Sequence, residues 1–156
     1  MIDTLEAVRA GDPAAGRHDE NRLLSIVVPL YNEESGVGTL FDRVTAVLDR
    51  LDIRSEVILV DDGSRDRTAA LVNERAEKDQ RIKLVRLSRN FGHQAAISAG
   101  MDHASGDALV VMDGDLQDAP EEIPAFLEKW REGYDVVYAI RRSRTEGWHK
   151  RAEVGS

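Results

Sequence analysis

The 156-residue chain contains no cysteine. That excludes disulfides and thiolate chemistry and agrees with a cytoplasmic address. It also lacks the roughly 18 to 20 consecutive apolar residues that span a bilayer. Its longest apolar stretch, Leu23 to Tyr31, is interrupted by Ser25 and Pro29. No basic region followed by an apolar one opens the sequence, so no secretory signal is expected. A basic surface is missing as well: the net charge of −8 argues against nucleic-acid binding. An acidic chain that handles a phosphorylated ligand needs a metal or a few local arginines. Several α/β motifs are absent too. No G-x-G-x-x-G follows the first predicted strand, and no G-x-x-x-x-G-K-[ST] occurs, so dinucleotide binding is unsupported and a P-loop is excluded. A phosphoacceptor receiver domain and an Asp-nucleophile phosphatase would both carry their acids after the first strand, where this chain has none of the required pairs.

What is present is the composition of a globular domain, 42% apolar and 32% charged, long enough to bury about two-thirds of its unfolded surface. Residues 1–22 show little periodicity and are expected to form a mobile tail with a short helix near Thr4 to Ala10. Strands are then predicted at Ser25–Leu30, Glu56–Val60, Ile82–Leu87, Ala108–Met112 and Asp135–Ile140. Helices separate them. Val37, Leu40, Phe41, Val44, Leu48 and Leu51 keep helical spacing; Thr68–Lys78 follows Asp66 as N-cap. Gly92–Ala104 is closed by Gly106, and a last helix starts at Pro120 and stops at Gly133. Five strands alternating with four helices imply a mostly parallel sheet with right-handed crossovers and helices on both faces.

Ligands of such sheets sit outside the carboxyl ends of the strands, and there the polar residues gather. The strands run into Tyr31-Asn32-Glu33, Asp61-Asp62-Gly63-Ser64, Arg89-Asn90-Phe91-Gly92-His93, Asp113-Gly114-Asp115-Leu116-Gln117-Asp118 and Arg141-Arg142. The opposite ends carry ordinary connectors such as Asp52-Ile53-Arg54-Ser55 and Asp79-Gln80-Arg81. The acidic run is the most informative. Carboxylates about 4 Å apart repel by roughly 4 kcal/mol at an effective dielectric near 20, and a cation between them turns repulsion into binding. Oxygen ligands without Cys or His favour Mg²⁺ or Mn²⁺; the alternative is a solvated Asp-Gly turn. Asp61-Asp62-Gly63-Ser64 reads either as turn chemistry or as a carboxylate for a base or ribose. Tyr31 offers a flat face to a nucleobase and Glu33 a polar acceptor, or else Glu33 and Glu34 serve the dipole of the next helix. His93 caps or lines the helix near Gly92. Arg141 and Arg142 suit phosphate oxygens, or form a solvated basic stretch with Arg144, Lys150 and Arg151.

As an ordered set, Val28-Pro29-Leu30-Tyr31-Asn32-Glu33, Val60-Asp61-Asp62-Gly63-Ser64, Arg89-Asn90-Phe91-Gly92-His93-Gln94, Asp113-Gly114-Asp115-Leu116-Gln117-Asp118 and Gly133-Tyr134-Asp135-Val136-Val137-Tyr138 leading to Arg141 resemble the inverting family 2 glycosyltransferases. The closest branch transfers a sugar from a nucleotide diphosphate to a polyprenyl phosphate, as dolichol-phosphate mannosyltransferase and the bacterial undecaprenyl-phosphate glucosyltransferases do. The resemblance implies a Rossmann-like GT-A nucleotide-diphospho-sugar transferase fold, with the catalytic domain at residues 23–142 and the start of a membrane-proximal acceptor region at 143–156. It implies Pro29, Tyr31, Glu33, Asp61, Asp62 and Arg89 at the donor, and Asp113 and Asp115 as a DxD metal pair assisted by Gln117. Arg141 would meet a phosphate, with Mg²⁺ or Mn²⁺ as cofactor. The expected donor is UDP-glucose-like and the acceptor a polyprenyl phosphate at the cytoplasmic face of the membrane. A lipid phosphate is already an anionic nucleophile, so no general base is named; Asp118, before Ala119-Pro120, suits an N-cap. Two features depart from the pattern: Ala119 stands where a second Pro is usual, and Ala152-Glu153-Val154-Gly155-Ser156 does not resemble the expected amphipathic continuation. A helix start tolerates the first; the second keeps open an alternative, a nucleotide-sugar-binding or self-associating module, and with it a homo-oligomer.

Overall fold

Strand β2 (Leu23–Leu30) is hydrophobic almost throughout because it is covered on both faces. The structure is a computed structural model; it describes the backbone of residues 2–9, 22–115, 119–132 and 134–141, and the side chains of 22–115 and 119–132. β2 pairs in parallel with β3 (Arg54–Asp61) on one side and with β5 (Ala108–Val111) on the other; β4 (Ile82–Arg86) adds to β3. The resulting order is β4-β3-β2-β5. Successive strand side chains point to opposite faces, which divides the core. Leu24, Ile26, Val28 and Leu30 of β2 meet α1 (Val37–Leu48), α2 (Thr68–Lys78) and α4 (Ile123–Arg131) on one face; Val27, Ile58 and Val60 meet Ala96 of α3 (His93–His103) on the other. The expected helices on both faces are thus present, three against one. α1 buries Val37, Leu40, Phe41, Val44 and Leu48 of the predicted stripe and Val47 besides, while Leu51 packs just beyond its end. Among the described residues no helix is long and apolar enough to cross a membrane.

Two expectations change. Ile2–Arg9, read as part of a mobile tail with a short helix, is strand β1. The threefold spacing of Ile2, Leu5 and Val8 suggests a helix, but pairing with a distant strand overrides that local pattern. The partner is β6 (Tyr134–Arg141), antiparallel from Ile2↔Arg141 to Arg9↔Tyr134. The fifth predicted strand therefore belongs to a separate two-stranded ribbon rather than extending the parallel sheet. Smaller shifts occur at Pro120, which opens a 3₁₀ turn, Pro120–Glu122, leading into α4, and at Gly92, which is the N-cap of α3 rather than its first residue. Gly133, Asp118 and the basic residues from Arg142 onward lie outside the described residues.

The strand order reverses at β2: β3 and β4 build outward on one side, β5 on the other. Such a switch point opens a crevice at the carboxyl ends of the strands.

Candidate active site

The loops after β2, β3, β4 and β5 line one open cleft of about 360 Å³ at that switch point. Pro29, Tyr31 and Glu33 come from β2, Asp62 from β3, Asn90, Gly92 and His93 from the loop into α3, and Asp113, Gly114 and Asp115 from β5. β5 ends its pairing at Val27↔Val111, so the acidic run passes alongside the last residues of β2. Gly114 is buried there: a Cβ on it would collide with Leu30 Cδ2 and lie 3.0 Å from the Pro29 carbonyl oxygen. The glycine between the two aspartates thus allows them to flank the end of β2.

The two acids after β3 have different tasks. Asp61 is fully buried; its Oδ1 accepts the Ser64 N–H at 3.3 Å, and its Oδ2 lies 3.8 Å from Arg86 Nε without a hydrogen bond. Asp62 organises the neighbouring loop, accepting the N–H groups of Phe91 (2.8 Å) and Gly92 (3.1 Å) on its two oxygens, while Asn90 Nδ2 donates to its carbonyl. It still lines the cleft, and each carboxylate oxygen keeps a second lone pair. Between these acids and the β4 loop sits Gly63, with φ of 75° and no room for a Cβ against the Arg89 and Asn90 backbone. Gly63→Ala is therefore expected to cost about 2 kcal/mol or more and to loosen the Asn90–His93 wall, measurable by urea denaturation.

The cleft is acidic. Glu33 is held above the usual glutamate range, first by burial and then by the charges of Asp115 and Asp66. His93, exposed at the start of α3, places Nε2 3.5 Å from Asp113 Oδ1. Among the described residues no three carboxylate or imidazole groups form a ready metal cage. Two carboxylates on a short turn, in a cleft already burdened with negative charge, fit a hard divalent ion that takes its remaining ligands from phosphate and water.

Residues 25–155 match the sequence profile of "Glycosyl transferase family 2". The chain belongs to that family. It is 52% identical over 128 residues to an uncharacterized glycosyltransferase of Synechocystis sp., covering 81% of this chain and 40% of that protein. It is 44% identical over 131 residues to the undecaprenyl-phosphate 4-deoxy-4-formamido-L-arabinose transferase of Aeromonas hydrophila, covering 83% of this chain and 40% of the relative. The chain thus spans about 40% of the length of these curated relatives. Among solved structures, a mannosyltransferase of Pyrobaculum calidifontis in complex with GDP-Man and Mn²⁺ aligns with a TM-score of 0.59 at 26% identity, over 80% of this chain and 35% of that one. TarS 1-349 of S. aureus in complex with UDP-GlcNAc aligns with a TM-score of 0.56 at 26% identity, over 67% and 30% of the two chains. The fold of this family 2 glycosyltransferase is that of the GT-A enzymes.

Of the predicted site residues, Pro29, Tyr31, Glu33, Asp62, Asp113 and Asp115 share the cleft. Asp61 is buried at the end of β3. Arg89 is exposed and stacks 4.1 Å from the Phe91 ring centroid, and it is not among the cleft-lining residues. Gln117 and the Arg141 side chain lie outside the described residues; the Arg141 backbone ends β6 opposite Ile2. Sequence reasoning passed over Asn90 and His93 as site residues. Their signal was position in the run Arg89–Gln94 at the end of a strand, where a lone His reads equally as a helix cap.

Proposed function

We propose that this family 2 glycosyltransferase transfers a hexose from a UDP-linked donor to a polyprenyl phosphate. The observation that carries the reading is the single cleft in which the Tyr31–Glu33 wall faces the Asp113-Gly114-Asp115 turn. Tyr31, 44% exposed, presents a ring to the base. Pro29 and Asp62 bound the nucleoside, with Asp61 beneath them, and Arg89 on the rim and Arg141 at the end of β6 serve phosphate. Asp113 and Asp115, with Gln117, would hold Mg²⁺ or Mn²⁺, which supplies Lewis-acid neutralisation of the diphosphate charge. In the transfer, an acceptor phosphate oxygen forms the new bond to the anomeric carbon from the opposite face. The bond to the donor β-phosphate breaks, and its electron pair leaves with the nucleoside diphosphate. The acceptor oxygen is already anionic, so no side chain need remove a proton.

The relatives named for undecaprenyl phosphate and the neighbours solved with GDP-Man or UDP-GlcNAc support a nucleotide-sugar donor and a lipid-phosphate acceptor. Such an acceptor would bring the enzyme to a membrane surface, and a nucleotide-sugar donor to its cytoplasmic face. Calorimetric titration with UDP-glucose and GDP-mannose, with and without MnCl₂, tests donor binding, and labelled-sugar transfer to undecaprenyl phosphate tests the reaction. Metal-independent binding, or no binding of either donor, contradicts the proposal. Donor binding without transfer would favour an acceptor-incompetent binding module.

Glu33 supplies a pH prediction. Its carboxyl is raised by burial and by Asp115 and Asp66, so its ionisation opposes folding. The penalty is absent below the unfolded glutamate range and complete above the folded value. Glu33→Gln should therefore raise Tm at pH 7, with the gain vanishing in acid, while weakening donor binding. A Tm difference independent of pH would refute this assignment.

A further inference from the structure

The loops after β2 and β3 are joined by side-chain hydrogen bonds that run in both directions. Asn32 adopts φ of 52°, a left-handed conformation that Asn tolerates better than most residues. Its N–H donates to Ser64 Oγ at 2.8 Å, and its Oδ1 accepts the Arg65 N–H at 2.9 Å. The next residue repeats the pattern: the Glu33 N–H donates to Thr68 Oγ1 at 2.8 Å. So does the one after: the Glu34 N–H donates to Asp66 Oδ2 (3.2 Å), and Glu34 Oε1 accepts the Arg67 N–H (2.8 Å). Thr68 is fully buried, and its hydroxyl is itself aimed by donating to Asp66 Oδ1. Asp66 accepts the Thr68 N–H as well, one residue ahead of Arg67, the N-cap of α2. Asn32, Ser64 and Thr68 do not line the cleft, yet Tyr31 and Glu33, on either side of Asn32, do.

We infer that Asn32, Ser64 and Thr68 are positioning residues: their clasp presets the Tyr31–Glu33 wall of the nucleoside site against the loop after β3. This rests on the proposed donor site for its functional consequence, while the clasp itself has a readout of its own. A loop fixed before binding loses less freedom when ligand arrives, and that is affinity gained. Glu33 is the residue most affected, since its amide is anchored by Thr68 while its carboxyl faces the charge of Asp115.

Three variants separate the contributions. Thr68→Val keeps the buried shape and removes the acceptor for the Glu33 amide. Asn32→Gly keeps access to positive φ and removes the acceptor for the Arg65 amide. Asn32→Asp restores that acceptor. Two measurements are made on each: hydrogen exchange by mass spectrometry over residues 31–34 and 64–68, without ligand, and affinity for UDP in MnCl₂ by calorimetry. Thr68→Val and Asn32→Gly should exchange faster in these segments and bind UDP about tenfold more weakly, the scale of one lost hydrogen bond. Asn32→Asp should recover most of both, which a general loss of stability would not do. Unchanged exchange in Thr68→Val and Asn32→Gly overturns the clasp whether or not UDP binds. Faster exchange with wild-type affinity overturns the positioning role. If the wild-type protein does not bind UDP, the UDP-donor reading fails and the positioning role fails with it, an outcome distinguished by the wild-type titration.

Discussion

Asp113→Asn is expected to weaken Mn²⁺-dependent nucleotide binding by roughly 100-fold, at or beyond the upper end of what loss of a metal-supporting group costs. Asparagine keeps the size and one acceptor oxygen but removes the charge that draws a hard cation. Asp115→Asn should act the same way, with one addition. Asp115 is among the charges that raise Glu33, so its neutralisation should lower the Glu33 pKa and modestly raise Tm at neutral pH. Neither variant should unfold, because both side chains line an open cleft rather than the hydrophobic core. Calorimetry with UDP at several MnCl₂ concentrations reads both effects. Wild-type affinity and an unaltered metal requirement in both variants would remove the acidic run from the site.

A second large effect is expected far from the cleft. Glu56 is buried at the amino end of β3. Ser25 Oγ donates to its Oε2 at 2.6 Å, the Ser105 N–H donates to the same oxygen at 2.8 Å, and Lys83 Nζ meets Oε1 at 2.8 Å. Ser25 Oγ in turn accepts the Gly106 N–H at 2.8 Å. Burial pushes the Glu56 carboxyl up, but the hydrogen bonds from Lys83, Ser25 and Ser105 outweigh it and hold the group below its usual range. Glu56→Ala leaves those donors without an acceptor and should cost about 3 to 5 kcal/mol, or roughly 10 °C in Tm. The sign with pH follows from the lowered value. The stabilisation is present above the unfolded glutamate range and is lost as pH falls through the folded value. Glu56→Gln should therefore flatten the acid limb of the stability curve that the wild type shows. Donor affinity should stay near wild type in both variants at temperatures where they remain folded, because this network sits at the opposite end of the sheet from the cleft.

The cleft and the Glu56 network differ in how far the sequence reveals them. Asp113-Gly114-Asp115 announces itself because several acids follow a short apolar run, a local pattern with few structural explanations. Glu56 sits in a strand like any boundary residue, and its partners Ser25, Lys83 and Ser105 are 31, 27 and 49 positions away. Asn32 was visible only as part of a motif; its clasp needs Ser64 and Arg65, more than thirty positions along the chain. Arg89 and Asn90 show how neighbours in one motif part company in the fold. The resemblance implies Arg89 at the donor; its guanidinium stacks on Phe91 outside the cleft lining, while its neighbour Asn90 lines the cleft.

Local chemistry determined much of this protein. The β2 and β3 apolar runs, the α1 stripe and the turn residues at the strand ends specify the alternating elements, because each signal depends on neighbours within a few residues. The ordered motifs likewise identify the glycosyltransferase family. Tertiary structure decided where the loops meet, which acids are spent on backbone amides and which face the cleft. It also turned Ile2–Arg9 into the partner of Tyr134–Arg141. The physical reason is the same in each case: a hydrogen-bond partner or a like charge contributed from a distant strand leaves no periodic trace in the chain, and appears only when the sheet brings the two together.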